Sequence, residues 1–294
     1  MKKLVCGALI ISFAPILVKA ASLGPTAIAF YRCAAATMVM LVLLAVIPKM
    51  RPDRARMPDP KVLVFCLGSG LFFALDLFVW HRSLVWTGAG MGTILANTQV
   101  FYVAAIGILF YKEAVTVRFM IAVPAAFIGV YLLAAYQAPA LRGENYLLGV
   151  VCGLTTGFMY TGFLVLLRKA ELLLGEKGTL WNLTWMSGSA GVFLLLFALG
   201  EGTLTVPRGQ DLLWLMLLGV GPQTCGWLLI TAGLAEVPIS KAGLVLLLQP
   251  TLATVMGALI YGERFAAVQV IGALLTIGAI YLGITRDIGR ASNP

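Results

Sequence analysis

Charge is what this sequence has least of. Only 11% of its 294 residues are Asp, Glu, Lys or Arg, where a soluble domain carries about a quarter, and no stretch of it could clothe a soluble domain. Histidine occurs once, at His81, and the five cysteines, Cys6, Cys33, Cys66, Cys152 and Cys225, each stand alone inside an apolar block. With no CxxC and no Cys/His cluster, neither structural zinc nor a disulfide framework is expected, and the cysteines read as small buried hydrophobes. Catalytic patterns are missing as well: there is no HExxH, no phosphate-cradling glycine loop and no Ser/His/Asp order. No enzyme activity, cofactor or metal is expected. The net charge of +9 does not signal nucleic acid, because the basic residues sit between apolar blocks as membrane loops require.

Apolar residues fill the space that charge leaves. They make up 61% of the chain, at a mean hydropathy of +0.97, which is the composition of an integral membrane protein. Ten blocks approach or exceed the roughly 20 residues that cross a bilayer: 4–20, 25–47, 61–82, 87–111, 116–136, 146–168, 180–199, 210–234, 239–261 and 266–284. They are long and continuously apolar, without the period-two alternation of a β-barrel. The first block follows Met1-Lys2-Lys3 like a signal peptide, but it lacks a cleavage site and is expected to stay as a helix. With the N-terminus inside, fifteen Lys and Arg fall on the inner side and five on the outer. The positive-inside rule then places both termini in the cytoplasm.

The chain also repeats. Sliding it by 150 positions without a gap superposes Phe13 on Phe163, Lys19 on Lys169, Gln99 on Gln249, Tyr111 on Tyr261, Glu113 on Glu263 and Tyr131 on Tyr281. An ungapped frame that aligns polar and aromatic residues together indicates duplication. The halves are 1–136 and 146–294, joined by an outer linker at 137–145. Five helices per half is an odd number, so the halves enter the membrane from opposite sides. The fold class expected is an all-α polytopic membrane protein, ten transmembrane helices in two inverted five-helix repeats. That is an architecture of secondary transporters, with the site between the halves.

The run Leu259-Ile260-Tyr261-Gly262-Glu263-Arg264, followed by Gln269, Gly272 and Gly278, resembles the end of the EamA-type repeat, as does Pro25 followed by Arg32. That family belongs to the drug/metabolite transporter superfamily, and the resemblance covers essentially the whole chain. It departs at Lys112, where the family usually has Gly, and at Pro124 inside the fifth helix. The resemblance implies ten helices in two inverted halves around a central cavity. Length and aromatic content resemble, more narrowly, the YddG-type exporters of aromatic amino acids. The expected function is export of amino acids, aromatic or otherwise apolar, across the inner (plasma) membrane by alternating access. The alternative cargo is another small metabolite or drug: a nucleoside, a sugar derivative or an amphipathic compound.

Polar side chains inside a membrane are costly and usually face a cavity or a partner. Arg32 and Asp76, each about 10 Å inside the outer boundary, read either as a permanent ion pair or as a pair that opens to hold a zwitterion. His81, beside Trp80, is the one side chain suited to proton coupling, or simply an interfacial residue. Asn97, Gln99, Gln223 and Gln249 reach mid-membrane. Gln99 and Gln249, being repeat-related, suit interhelical bonding, whereas Asn97 has no polar counterpart, position 247 being Leu, the asymmetry a ligand contact needs. Asn97 shares a helical face with Phe101, and Gln99 with Tyr102. Phe73, Phe78, Trp80, Phe101, Tyr102, Phe158, Tyr160 and Phe163 could line a cavity for a flat side chain or face lipid. Pro15, Pro124, Pro222 and Pro250 each remove a donor within a span, and Pro15 and Pro250 are the expected hinges. Glu113 and Glu263 read as caps or partners of loop cations.

Overall fold

The structure, a computed structural model, describes residues 1–47, 60–135, 144–261 and 266–285. Among these residues it is helical, and ten helices are long and apolar enough to cross a membrane. In chain order they are α1 (Lys2–Ala20), α2 (Pro25–Val46), α3 (Pro60–Thr87), α4 (Gly90–Leu109), α5 (Val117–Ala134), α6 (Tyr146–Leu174), α7 (Thr179–Glu201), α8 (Gln210–Glu236), α9 (Ile239–Gly257) and α10 (Ala267–Ile284). The ends are written into the sequence: Pro25 fills the first turn of α2, where its missing N–H costs nothing. Two boundaries differ clearly from expectation: the sixth helix runs on from 168 to Leu174, and the third and fourth meet elsewhere. The third helix runs on to Thr87 and the fourth starts after it, because Gly88 adopts a φ of 85° that glycine alone takes readily.

The bundle is built from helix pairs. α3 lies along α6, α5 along α10 and α2 along α7, while α1 packs on α8 and α4 on α9; α7 also touches α3, and α8 touches α2. Exchanging every helix for the one 150 residues away maps this set of neighbours onto itself. Lipid offers no hydrophobic drive for such pairing, so close approach of small residues has to supply it. The α5–α10 crossing illustrates this. A Cβ on Gly129 would meet the Gly272 carbonyl at 2.7 Å, and one on Gly272 would meet the Gly129 carbonyl at 2.7 Å. Apolar side chains such as Met38, Val42, Leu147, Leu274 and Ile271 remain exposed on the outside of the bundle, as a lipid-facing surface requires. The interior centres on Phe73, Phe163, Met186 and Trp227.

Pro124 does not interrupt α5, which is helical from Val117 to Ala135. The other three mid-span prolines sit at or beside irregular turns, and these turns define the candidate site.

Candidate functional site

Helix α4 stops at Ala96 and resumes at Gln99. The Asn97 side-chain Nδ2 donates to the Thr93 carbonyl at 2.7 Å and the Thr98 hydroxyl to the Leu95 carbonyl at 2.6 Å. Short polar side chains thus compete with the helix for its own carbonyls. Helix α9 stops at Leu246 and resumes at Leu248, the same break 150 residues on. Its cause is different: Pro250 has no N–H for the Leu246 carbonyl. Helix α1 breaks at Ser12 and Phe13, just before Pro15. In α8 the turn around Pro222 widens into a π-helical segment, Gly219–Gly226. The expected hinges at Pro15 and Pro250 therefore coincide with real breaks, and π-segments often mark functional sites.

Unsatisfied polar atoms gather around these breaks. Arg32 Nε, His81 Nδ1, Gln99 Oε1, Gln223 Oε1 and Gln249 Nε2 are buried with no hydrogen-bond partner among the described residues. Gln223 keeps one contact, donating to Ser187 Oγ at 3.3 Å. Gln99 and Gln249 do not bond each other, so the expected interhelical link is not made. Asp76 is 6% exposed and feels the charge of Arg32. The expected Arg32–Asp76 ion pair is nevertheless not closed: neither side chain has an opposite charge within 4.0 Å among the described residues. Long side chains on separate helices can stay apart when the helices hold them so, and spacing in the sequence cannot reveal that gap.

Aromatic rings surround this region. Phe73 (α3), Phe163 (α6) and Trp227 (α8) lie 4.8–5.8 Å apart by ring centroids, with Tyr160 5.7 Å from Phe163 and 6.4 Å from Trp227. The Arg32 guanidinium is 5.2 Å from the Phe73 ring centre, and Tyr160 lies beside Gln249 and within reach of the Asp76 charge. The Trp80 and His81 ring centroids lie 5.3 Å apart, with the rings tilted by 41°. Not every expected residue joins the cluster. Phe101 stands edge-on to Phe127 of α5, and Tyr102 meets Phe158, itself 55% exposed. Asn97 sits at the break with its amide nitrogen bonded to the Thr93 carbonyl. Trp227 was not among the expected residues, although it lies four positions after Gln223 and so on the same helical face.

A second polar cluster lies at the end of the bundle that carries the N-terminus. Glu113, just past α4, accepts from the Ile239 and Ser240 backbone N–H groups at 2.6 and 3.0 Å, satisfying orphan donors at the start of α9. Arg168 donates to the Leu234 and Val237 carbonyls at the end of α8 and lies 3.8 Å from Glu113. Its guanidinium is also 5.2 Å from the centre of the Tyr111 ring. Burial pushes the Tyr111 phenol above its ordinary pKa, and its hydroxyl has no partner among the described residues. Gly107 lets the ends meet, since a Cβ there would approach Glu113 Oε2 at 2.6 Å and Ser240 Cβ at 3.0 Å. The expected capping role of Glu113 is realised; Glu263 lies outside the described residues. Nearby, the buried carboxylate of Glu171 accepts from Thr179 Oγ1 and from Asn182 Nδ2, which also donates to the Leu167 carbonyl. Nothing in the sequence pattern marked that network. Of the cysteines, Cys33 and Cys66 are buried, while Cys6 and Cys225 are exposed on the apolar outside.

Comparison with known proteins agrees with this architecture. The EamA-like transporter family model matches twice, over residues 3–135 and 147–285. The chain is 26% identical over 240 residues to an uncharacterized transporter of Archaeoglobus fulgidus, covering 81% of each chain. It is 24% identical over 258 residues to the uncharacterized transporter YdfC of Bacillus subtilis, covering 87% of this chain and 80% of that one. One solved crystal structure superposes with a TM-score of 0.77 over 96% of this chain and 95% of the other at 15% identity, a likeness of fold alone. With two matched segments that together span nearly the whole chain and ten membrane-length helices, the protein belongs to the EamA-like transporter family.

Proposed function

We propose that this transporter exports amino acids with aromatic or other apolar side chains from the cytoplasm, in the manner of the YddG-type exporters. The two halves, 1–136 and 146–294 with the linker 137–145 between them, are inverted repeats that rock about a central cavity in the inner membrane. Both termini are cytoplasmic, as the distribution of Lys and Arg requires. The observation that carries this reading is a set of buried polar atoms without partners beside aromatic rings: Arg32 faces the Phe73 ring, Gln249 lies beside Tyr160, and Gln223 stands four positions before Trp227. Buried polar groups without partners cost free energy, and a small ligand with a polar head and a flat apolar body would satisfy both surfaces. Asn97 Oδ1 lies at the break beside this region, and the bends at Pro15 and Pro250 serve as hinges.

Counterflow tests the reading. Proteoliposomes loaded with unlabelled tryptophan, phenylalanine, methionine, glutamate or uridine are offered the labelled counterpart. Saturable exchange of the three apolar amino acids, with none of glutamate or uridine, is expected. Exchange of uridine with flat traces for every amino acid would refute the cargo and favour a nucleoside or drug.

A further inference from the structure

We propose that Arg32 and Asp76 form a split charge pair that binds the carboxylate and the ammonium of one zwitterionic cargo. This deepens the amino acid reading and rests on it. Both residues lie inside spans, Arg32 in α2 and Asp76 in α3, where an ionised side chain is expensive unless paired. The Arg32 guanidinium lies 5.2 Å from the centre of the Phe73 ring, one turn before Asp76 on α3, yet the two form no ion pair within 4.0 Å. Asp76 is almost wholly buried. Arg32 leaves Nε buried without an acceptor. One of the faces that could serve Arg32 is taken by an aromatic ring instead of a carboxylate.

In a medium of low dielectric an unpaired cation and an unpaired anion on neighbouring spans attract opposite charge strongly, so a ligand that answers both is held firmly. A ligand that bridges them must carry an anion for Arg32 and a cation for Asp76 on neighbouring atoms, as the head of an α-amino acid does. Planar, bidentate recognition of a carboxylate also suits a guanidinium better than an ammonium. The Phe73, Phe163 and Trp227 rings and the Tyr160 side chain begin one turn away from Asp76, so a flat side chain extending from that head would meet them. An amine alone leaves Arg32 unpaired, and an acid alone leaves Asp76 unpaired. A site built on a charged pair rejects such half-matched analogues strongly. The pair is therefore the feature that separates amino acids from cationic amphipathic drugs and from nucleosides.

The test is competition against labelled phenylalanine counterflow, using unlabelled phenylalanine, phenethylamine (no carboxylate) and 3-phenylpropionate (no amine). Phenylalanine is expected to compete and the two analogues are not. Asp76→Asn and Arg32→Gln are each expected to lower exchange at low phenylalanine by about tenfold or more. They should also change the ranking: 3-phenylpropionate competes in Asp76→Asn and phenethylamine in Arg32→Gln. A purely structural role would lower exchange and leave the ranking unchanged, which would overturn the proposal. Equal competition by all three compounds in the unmodified protein would overturn it without any variant. Failure of every zwitterion to exchange, methionine and tryptophan included, would refute the amino acid reading and this inference with it. Zwitterion exchange with indiscriminate competition would remove only the charge pair.

Discussion

Under the proposed alternating access the Glu113 cluster has to open, which makes it the sharpest point of attack on that mechanism. Glu113 belongs to the first matched segment, whereas Arg168, Val237, Ile239 and Ser240 belong to the second. In the structure it ties the two together through two backbone N–H groups and a cation. When this end opens, water replaces the contacts, so a substitution at Glu113 destabilises the closed form and leaves the open form nearly untouched. Glu113→Ala removes two hydrogen bonds to a charged acceptor and leaves Arg168 without its anion, a loss of about 2–4 kcal/mol for the closed form. That corresponds to a shift of roughly 30- to 700-fold in the closed-to-open ratio. Spin labels on Phe110 and Leu172, both exposed near this end, in a background with the five cysteines replaced by alanine, would report it by pulsed dipolar spectroscopy. A longer-distance population absent from the unsubstituted protein is expected to dominate in the variant. An unchanged distance distribution, with the variant folded and monodisperse, would refute the assignment of Glu113 as the tie that holds this end shut.

Two further predictions follow from local geometry. Lys112 has a φ of 51°, and no other non-glycine residue among those described has a positive φ; Lys112→Gly is expected to stabilise the protein by about 0.5–1 kcal/mol, read as a raised melting temperature in detergent, and a lowered one would contradict the strain. Asn97→Ala removes the bond to the Thr93 carbonyl, at a cost of about 1 kcal/mol, and is expected to raise the phenylalanine concentration for half-maximal exchange without abolishing membrane insertion; an unchanged saturation curve would take Asn97 out of the site.

The sequence by itself determined that the chain is a ten-helix membrane protein, because the length and apolarity of a span are one-dimensional properties that any stretch either has or lacks. It also carried the duplication, since Gln99 and Gln249 or Glu113 and Glu263 need only be counted. Proline marked the breaks in α1 and α9 for the same reason: a missing N–H acts wherever it falls. The tertiary structure alone decided what those residues meet. No pattern distinguishes a closed Arg32–Asp76 pair from an open one, because the gap depends on how α2 and α3 are held by α7, α6 and α8. Gln99 and Gln249 occupy equivalent places in the repeat and still do not bond, for equivalence in a repeat does not imply contact. The α4 break at Asn97 carries no proline and so left no strong signal; it arises from side-chain bonds to Thr93 and Leu95 that the same residues could have made elsewhere. Trp227, Arg168 and Glu171 acquire their places only when distant helices converge, and that convergence is set by packing, which no single stretch of the chain contains.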